Sequence, residues 1–597
     1  MEKLNPLCRA SICLFSILIL SLTACKDNKE NPGDQSFNID KLANDYLQAY
    51  FDHYPEWATI DGQPGANHSR LSDNSMQGIA RFQRVEDSIW ELLHQLDTTG
   101  SDYPVYIKLK DELEASRVKR VCKQETWNIN AQEAFFHSPF LKLGQRQPVG
   151  DEASRQATLD RWKKIPQYIR NDLANNKYGL EHGYALPAPV VKTSIEQLDY
   201  LINGPIENNN FYLPALRDSS LVFRQALRKI VEQEIMPELE NYRQFLRQEY
   251  LPSARPEISL ASIPDGADCY RALIKGILGS DISPDTLHQK GLEMVAEREK
   301  TLLQLGQQIY GVNTLQQLQE EYQTDQSLFF KSEEEVLAHG RHILQMAKDK
   351  LPDYFSYMPK ANVVIQPMPK IEQLEGAPHY QEAPMDGSQP AIFYMKTMPP
   401  ENISLGLVER NTLHETIPGH HIEATYAREL NKHPFSRYYV RSGYSEAWAI
   451  YSEKLALEMG IYTSEKGKMG TLFFPELTAL VFDSGIHAKG WSKEEAIEYI
   501  LSVDPEFERE DAEYLVDRGA SIPVNLMTYG FGWLQISKLR TMAEDCLQDK
   551  FDLKKFHSLY LEQGTMPWSY LEQQVRNWCE AEQNAEQTGV VLNRSKQ

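Results

Sequence analysis

A mainly α-helical fold carrying one small β-sheet is what this sequence predicts, on three observations. Long stretches place apolar residues at helical spacing among many charges, above all Leu221–Tyr250, Asp285–Tyr310 and Ser332–Leu351. Pro and Gly punctuate the joins, as in Ile282-Ser283-Pro284-Asp285 and Gly204-Pro205. Runs of strand character are few: Ala361–Met368, and Ala391–Met395 after the turn-like Asp386-Gly387-Ser388. Those two runs predict a small sheet near the histidine-rich motif that follows them.

With 597 residues, 41% hydrophobic and 24% charged, the chain has ample material for a large core and no low-complexity tract. No internal repeat is visible. A loose division falls near residue 270, between a helical N-terminal region (37–270) and a region carrying the chemistry (271–597). No Gly/Ser linker marks that boundary, so the two are expected to share one core. The formal charge of −22 and the lack of a Lys/Arg cluster argue against nucleic acid as a partner, because nothing would neutralise phosphates.

The first residues read as an address. Lys3 and Arg9 precede an apolar run, Ser11–Leu20, that is short for a membrane span and reads as the h-region of a signal peptide over 1–24. It ends in Leu22-Thr23-Ala24-Cys25, a lipobox-like sequence that makes Cys25 the expected lipidation site. Residues 25–36 are polar and turn-rich, as a tether would be. The expected location is outside the cytoplasm, lipid-anchored to a bacterial cell-envelope membrane. Beyond this segment remain Cys122, Cys269, Cys546 and Cys579, none in CxxC spacing. An exported protein can pair them in three ways, but the expectation is that they serve mainly as buried small hydrophobes.

The informative stretch is His414-Glu415-Thr416-Ile417-Pro418-Gly419-His420-His421. A zinc hydrolase needs neutral imidazoles as ligands and a carboxylate beside the open coordination position. The usual H-E-x-x-H arrangement puts both histidines on one helical face. Here Pro418 stands where the second histidine belongs. On an unbroken helix His420 would sit about 240° round from His414, and His421 about 10 Å along the axis. Pro418 and Gly419 break helices, and a break there brings His420, or alternatively His421, back toward His414. His420 is the expected ligand, because Gly419 frees the backbone just before it. Downstream, Gly443-Tyr444-Ser445-Glu446-Ala447-Trp448 opens a second helix, capped at Ser445 or nearby, that offers Glu446 as a third ligand. Glu453, seven residues on, shares its face and is the candidate outer partner.

These motifs resemble those of the bacterial "domain of unknown function 885" family, which is grouped with zinc metallopeptidases of the gluzincin type. The resemblance extends along most of the chain. It includes Pro55-Glu56-Trp57-Ala58 and Gly62, Gly183–Pro187, Asp265–Tyr270, Ile282–Gly291, Asp483-Ser484-Gly485-Ile486-His487, and Pro523 to Arg540. Two positions depart from the family pattern: Ala447 replaces the Gly of Glu-Gly-Trp, and Ala479 replaces an Arg four residues before Asp483. The resemblance implies a large helical, metallopeptidase-like fold with the small sheet next to the metal-binding helices. It implies a zinc cofactor held by His414, His420 and Glu446, a peptide substrate, and Glu415 as general base toward the attacking water. His487 and Tyr529 are the candidate donors to the developing oxyanion, with Asp483 one turn before His487 to orient its ring. Arg518 is the candidate for binding a substrate carboxylate. Hydrolysis of a non-peptide amide and a catalytically silent binding lipoprotein are the rival expectations. An intact Glu415 argues against the second. No Gly-x-Ser-x-Gly elbow points to serine chemistry.

Overall fold

Helices, several with explicit side-chain caps, build most of the described residues. Ser283 accepts from the Thr286 amide and is followed by Pro284 at the first helical position. Ser332, Ser404 and Ser492 cap their helices in the same way. The helix expected over Leu221–Tyr250 runs on to Ser253, with π-helical turns at Val231–Ile235 and Leu246–Tyr250. Each π turn ends just before a helix segment that carries proline at its start, Pro237 or Pro252, where the backbone lacks a donor.

The computed structural model describes residues 38–587 apart from 97–102, 131–133, 137, 369–376, 384–389, 432, 471, 473–477 and 505–506. The signal peptide, the tether and Cys25 lie outside the described residues. Ile39–Gln597 is one compact unit. Its largest apolar cluster joins Trp162, Leu198 and Tyr242 to Leu480, Val524 and Phe531, so core packing crosses residue 270. None of the described helices is long and apolar enough to cross a membrane.

The elements that bear on function are numbered here in chain order. Helices are α1 (Pro284–Tyr310), α2 (Glu333–Tyr354), α3 (Leu405–Glu415), α4 (His420–Leu430), α5 (Ser442–Met459), α6 (Ala479–Lys489), α7 (Arg509–Ser521) and α8 (Met527–Leu547). Strands are β1 (Val363–Pro367), β2 (His379–Gln381) and β3 (Ala391–Met395), in the order β1-β3-β2. β1 pairs parallel to β3 with Ile365 opposite Phe393, and β2 pairs antiparallel with His379 opposite Tyr394. β1 and β3 are the two expected strands; β2 was not legible, being three residues long.

Helix α5 packs closely on α8, where a Cβ on Gly532 would come 2.7 Å from the Ala447 Cβ. Glycine on one helix thus accommodates alanine on the other, which makes room for the departure at 447. The N-terminal Pro55 segment is held by Arg161, fully buried, whose guanidinium donates to the carbonyls of Pro55, Asn67 and Arg70 and to Thr59 and Gln147. That motif is therefore a packing feature.

The cysteine expectation is corrected. Cys122 pairs with Cys269 and Cys546 with Cys579. Folding brings the first pair to a Cα separation of 4.7 Å across 147 residues of sequence, a closeness that spacing alone does not reveal.

Candidate metal centre

The helix break decides the geometry. α3 ends at Glu415, the Ile417–Pro418 peptide is cis, and α4 starts at His420. The reversal sets the His414 and His420 rings 4.8 Å apart between centroids and nearly perpendicular. Gly419 has a φ of −79°, so left-handed backbone is not what demands glycine there. Close approach is: a Cβ would lie 1.8 Å from the His414 carbonyl oxygen and 2.5 Å from that of Leu413. The Trp448 indole N–H donates to the Pro418 carbonyl at 2.9 Å, so the tryptophan beside Glu446 pins the turn between the two histidines.

Helix α5 delivers the third group. It starts at Ser442, after Arg441, whose guanidinium is held by Asp111 and Glu112. Ser445 is therefore inside the helix rather than its cap. Glu446 Oε2 lies 3.4 Å from His414 Nε2 and 3.6 Å from His420 Nε2. Side-chain exposures of 12%, 15% and 17% for His414, His420 and Glu446 leave the cluster enclosed but reachable. One ligand atom from each lies within 4.8 Å of the others. Glu446 Oε2 is buried without a hydrogen-bond partner among the described residues. A carboxylate oxygen left unsatisfied between two imidazole nitrogens is what a cation would satisfy, and two nitrogens with one oxygen is a zinc donor set.

The outer ring nitrogens are engaged. His414 Nδ1 donates to Glu453 Oε1 at 2.8 Å, and Glu453 is 1% exposed. His420 Nδ1 lies 3.2 Å from Ser445 Oγ, which in turn donates to Glu423 Oε2 at 2.9 Å. Burial opposes charge on Glu446, yet the two histidines beside it hold its carboxyl well below the usual carboxylate range. Burial raises the Glu415 carboxyl, against the pull of His414 and His420. Glu415 is part-exposed, within electrostatic reach of the cluster and of His379 on β2.

His421 turns away: its Nε2 donates to the Ala361 carbonyl and its Nδ1 accepts from Tyr380, both at 3.0 Å, tying α4 to the sheet. Tyr529 at the start of α8 packs with Trp533 against Ile450, one turn beyond Glu446 on α5. His487 does not fit its expected role. Its Nδ1 accepts from the Leu260 amide at 3.0 Å and its Nε2 donates to the Gly519 carbonyl at 3.1 Å, so no ring nitrogen remains for substrate. Nor does Asp483 orient it: that carboxylate accepts from Tyr270 at 2.7 Å and from the Val524 amide at 2.9 Å. Arg518, on α7 beside Gly519, donates to Asn525 at 3.3 Å, and among the described contacts none joins it to the histidine cluster. Sequence reasoning missed Ser445 and Glu423. Their signals were adjacency to Glu446 and a position three residues after His420 on one helix.

Residues 55–575 match the family described as bacterial protein of unknown function, DUF885. The chain belongs to this family. Two solved structures share the DUF885 chain's fold. One is of a protein assigned as a lipoprotein from Colwellia psychrerythraea, with 21% identity and a TM-score of 0.85, covering 91% of this chain and 99% of that one. The other is of a protein assigned as a lipoprotein of unknown function from Shewanella oneidensis, with 16% identity and a TM-score of 0.72, covering 90% and 100%. No curated protein matches the sequence.

Proposed function

We propose that this DUF885 protein is a zinc-dependent hydrolase that cleaves peptide bonds. The observation that carries the reading is the buried, unsatisfied Glu446 Oε2 facing the Nε2 atoms of His414 and His420. When bound, zinc supplies a Lewis acid that polarises water and the scissile carbonyl. The chain's own groups supply the rest. His414 and His420 turn Nε2 inward because each Nδ1 has an outward partner. Glu415 is not one of the three ligands; it takes the proton of the attacking water and passes it to the leaving amine. Tyr529 is the remaining candidate donor to the oxyanion.

Two isosteric substitutions test the assignment. Glu415→Gln is expected to keep about one zinc per chain and lose peptide hydrolysis by about 10²–10⁴-fold. Glu446→Gln is expected to lose zinc, because a neutral amide is a poor ligand beside two imidazoles. If Glu415→Gln loses metal while Glu446→Gln keeps it, the two roles are exchanged. If both bind zinc and cleave peptides normally, the reading fails.

We also propose that the protein is exported and anchored through a lipid on Cys25. Supporting this are the apolar run before Cys25, the lipoprotein assignment of both structural relatives, and two disulfides, which persist in oxidising compartments. Cys25→Ser is expected to move the protein from the membrane fraction to the soluble one; a variant that stays on the membrane rejects the anchor.

A further inference from the structure

The two histidines of the cluster are supported differently. His414 Nδ1 reaches a buried carboxylate directly, at Glu453. His420 has no carboxylate on its Nδ1; it has Ser445 Oγ at 3.2 Å, and Ser445 Oγ has Glu423 Oε2 at 2.9 Å. Glu423 is 8% exposed, and Ser445 hydroxyl is the one hydrogen-bond donor its carboxylate shows among the described contacts. We infer that Glu423 and Ser445 form a relay that fixes the ring state of His420, making Glu423 a positioning residue for the metal centre.

An ionised carboxylate only accepts, so the single Ser445 hydroxyl hydrogen is committed to Glu423. Ser445 Oγ then has lone pairs but no hydrogen for His420, so Nδ1 must carry its own proton and donate it. A neutral imidazole protonated at Nδ1 has its free lone pair on Nε2, the atom that faces Glu446. Without Glu423 the serine hydroxyl is free to rotate and donate to Nδ1. That stabilises the opposite tautomer, whose Nε2–H points at the centre and excludes a cation. Helix geometry makes the relay possible: Glu423 lies about one turn after His420 on α4, and Ser445 precedes Glu446 on α5. One serine therefore links the helix bearing one ligand to the helix bearing another.

This inference rests on the reading that His414, His420 and Glu446 hold a divalent metal. The test is zinc affinity of the full chain, by competition with a chelating dye, for the wild type, Ser445→Ala, Ser445→Thr, Glu423→Met, Glu423→Gln and the Ser445→Ala/Glu423→Met double variant. Ser445→Ala and Glu423→Met are each expected to weaken binding by about 10–100-fold, as outer partners of zinc ligands do. Ser445→Thr, which keeps the hydroxyl, is expected to bind as the wild type does. The double variant is expected to be no weaker than either single one, because both break the same relay. Glu423→Gln, whose amide oxygen still accepts from Ser445, is expected to bind zinc more tightly than Glu423→Met, a rescue that general loosening of the fold does not produce. Additive losses in the double variant, unchanged affinity in both single variants, or equal affinities for Glu423→Gln and Glu423→Met would each overturn the relay. If Ser445→Ala fails to fold, the Glu423→Met and Glu423→Gln affinities decide alone. Wild-type protein that binds no zinc defeats the metal reading itself, a result separate from a relay that fails in a zinc-binding protein.

Discussion

Two clusters of histidine and carboxylate in this molecule use the same chemical groups, and they end in opposite conditions. At the α3/α4 break, His414, His420 and Glu446 converge with a carboxylate oxygen left unsatisfied and both Nε2 atoms turned toward it. On α6, Asp483 and His487 are more deeply enclosed, and each carboxylate oxygen and each ring nitrogen has a protein partner, mostly backbone. Burial also acts on the second cluster without opposition from charge: it raises Asp483 to about 7, so that the carboxyl is about half protonated at neutral pH, and lowers His487 to about 3, so that the ring is neutral. Polar groups whose capacity is used up hold a fold together; polar groups with capacity left over, aimed at one point, mark where something binds.

The largest effect that would break this contrast is at the turn. Gly419→Ala is expected to abolish zinc binding and to destabilise the protein by several kcal/mol, because its methyl group collides with two backbone carbonyls. A Gly419→Ala protein that binds zinc as the wild type does means the reversal does not depend on that approach. Next in size, His487→Ala is expected to leave zinc content unchanged while lowering stability by about 1–3 kcal/mol, the cost of stranding the Leu260 amide and Gly519 carbonyl. Denaturant melts and metal analysis of one preparation separate the two; loss of zinc in His487→Ala would merge the clusters that the contrast keeps apart.

The smallest effect is on acid sensitivity. His487 and His557 are both lowered to about 3 by burial, so both are neutral in the folded protein. Unfolded histidine takes up a proton below about pH 6.5. The unfolded chain therefore binds more protons than the folded one between about 6.5 and 3, and stability falls as pH drops through that window. Asp483 has the opposite sign: the stability from its raised proton affinity is complete at low pH and is lost as pH rises toward about 7. His557→Gln is expected to show a shallower fall in melting temperature between pH 6.5 and 4.5 than the wild type. An identical slope would mean that His557 is not held neutral by its surroundings.

Much of the cluster of His414, His420 and Glu446 was legible from residue types, because Pro418 and Gly419 announce a break and only a break reconciles His414 with His420. Glu446 and Glu453 followed from helical spacing on one face. His487 misled for a physical reason: Asp483 at one-turn spacing looks like an orienting carboxylate, but the Leu260 and Gly519 backbone groups that take the ring come from segments far away in sequence. Ser445 was read as a cap because serine before a helical run usually is one, whereas Arg441 and its ion pairs with Asp111 and Glu112 start the helix earlier. The cysteine pairs and strand β2 escaped because each depends on long-range contacts that leave no local pattern. Helix content was the easiest part, since apolar periodicity and serine caps are local signals.

The most direct test is metal content by mass spectrometry of the purified full chain, wild type beside His414→Ala and His487→Ala. About one zinc per chain is expected in the wild type and in His487→Ala, and essentially none in His414→Ala. Zinc-free wild-type protein after growth and purification with zinc, or equal zinc in wild type and His414→Ala, would contradict the assignment of the metal centre.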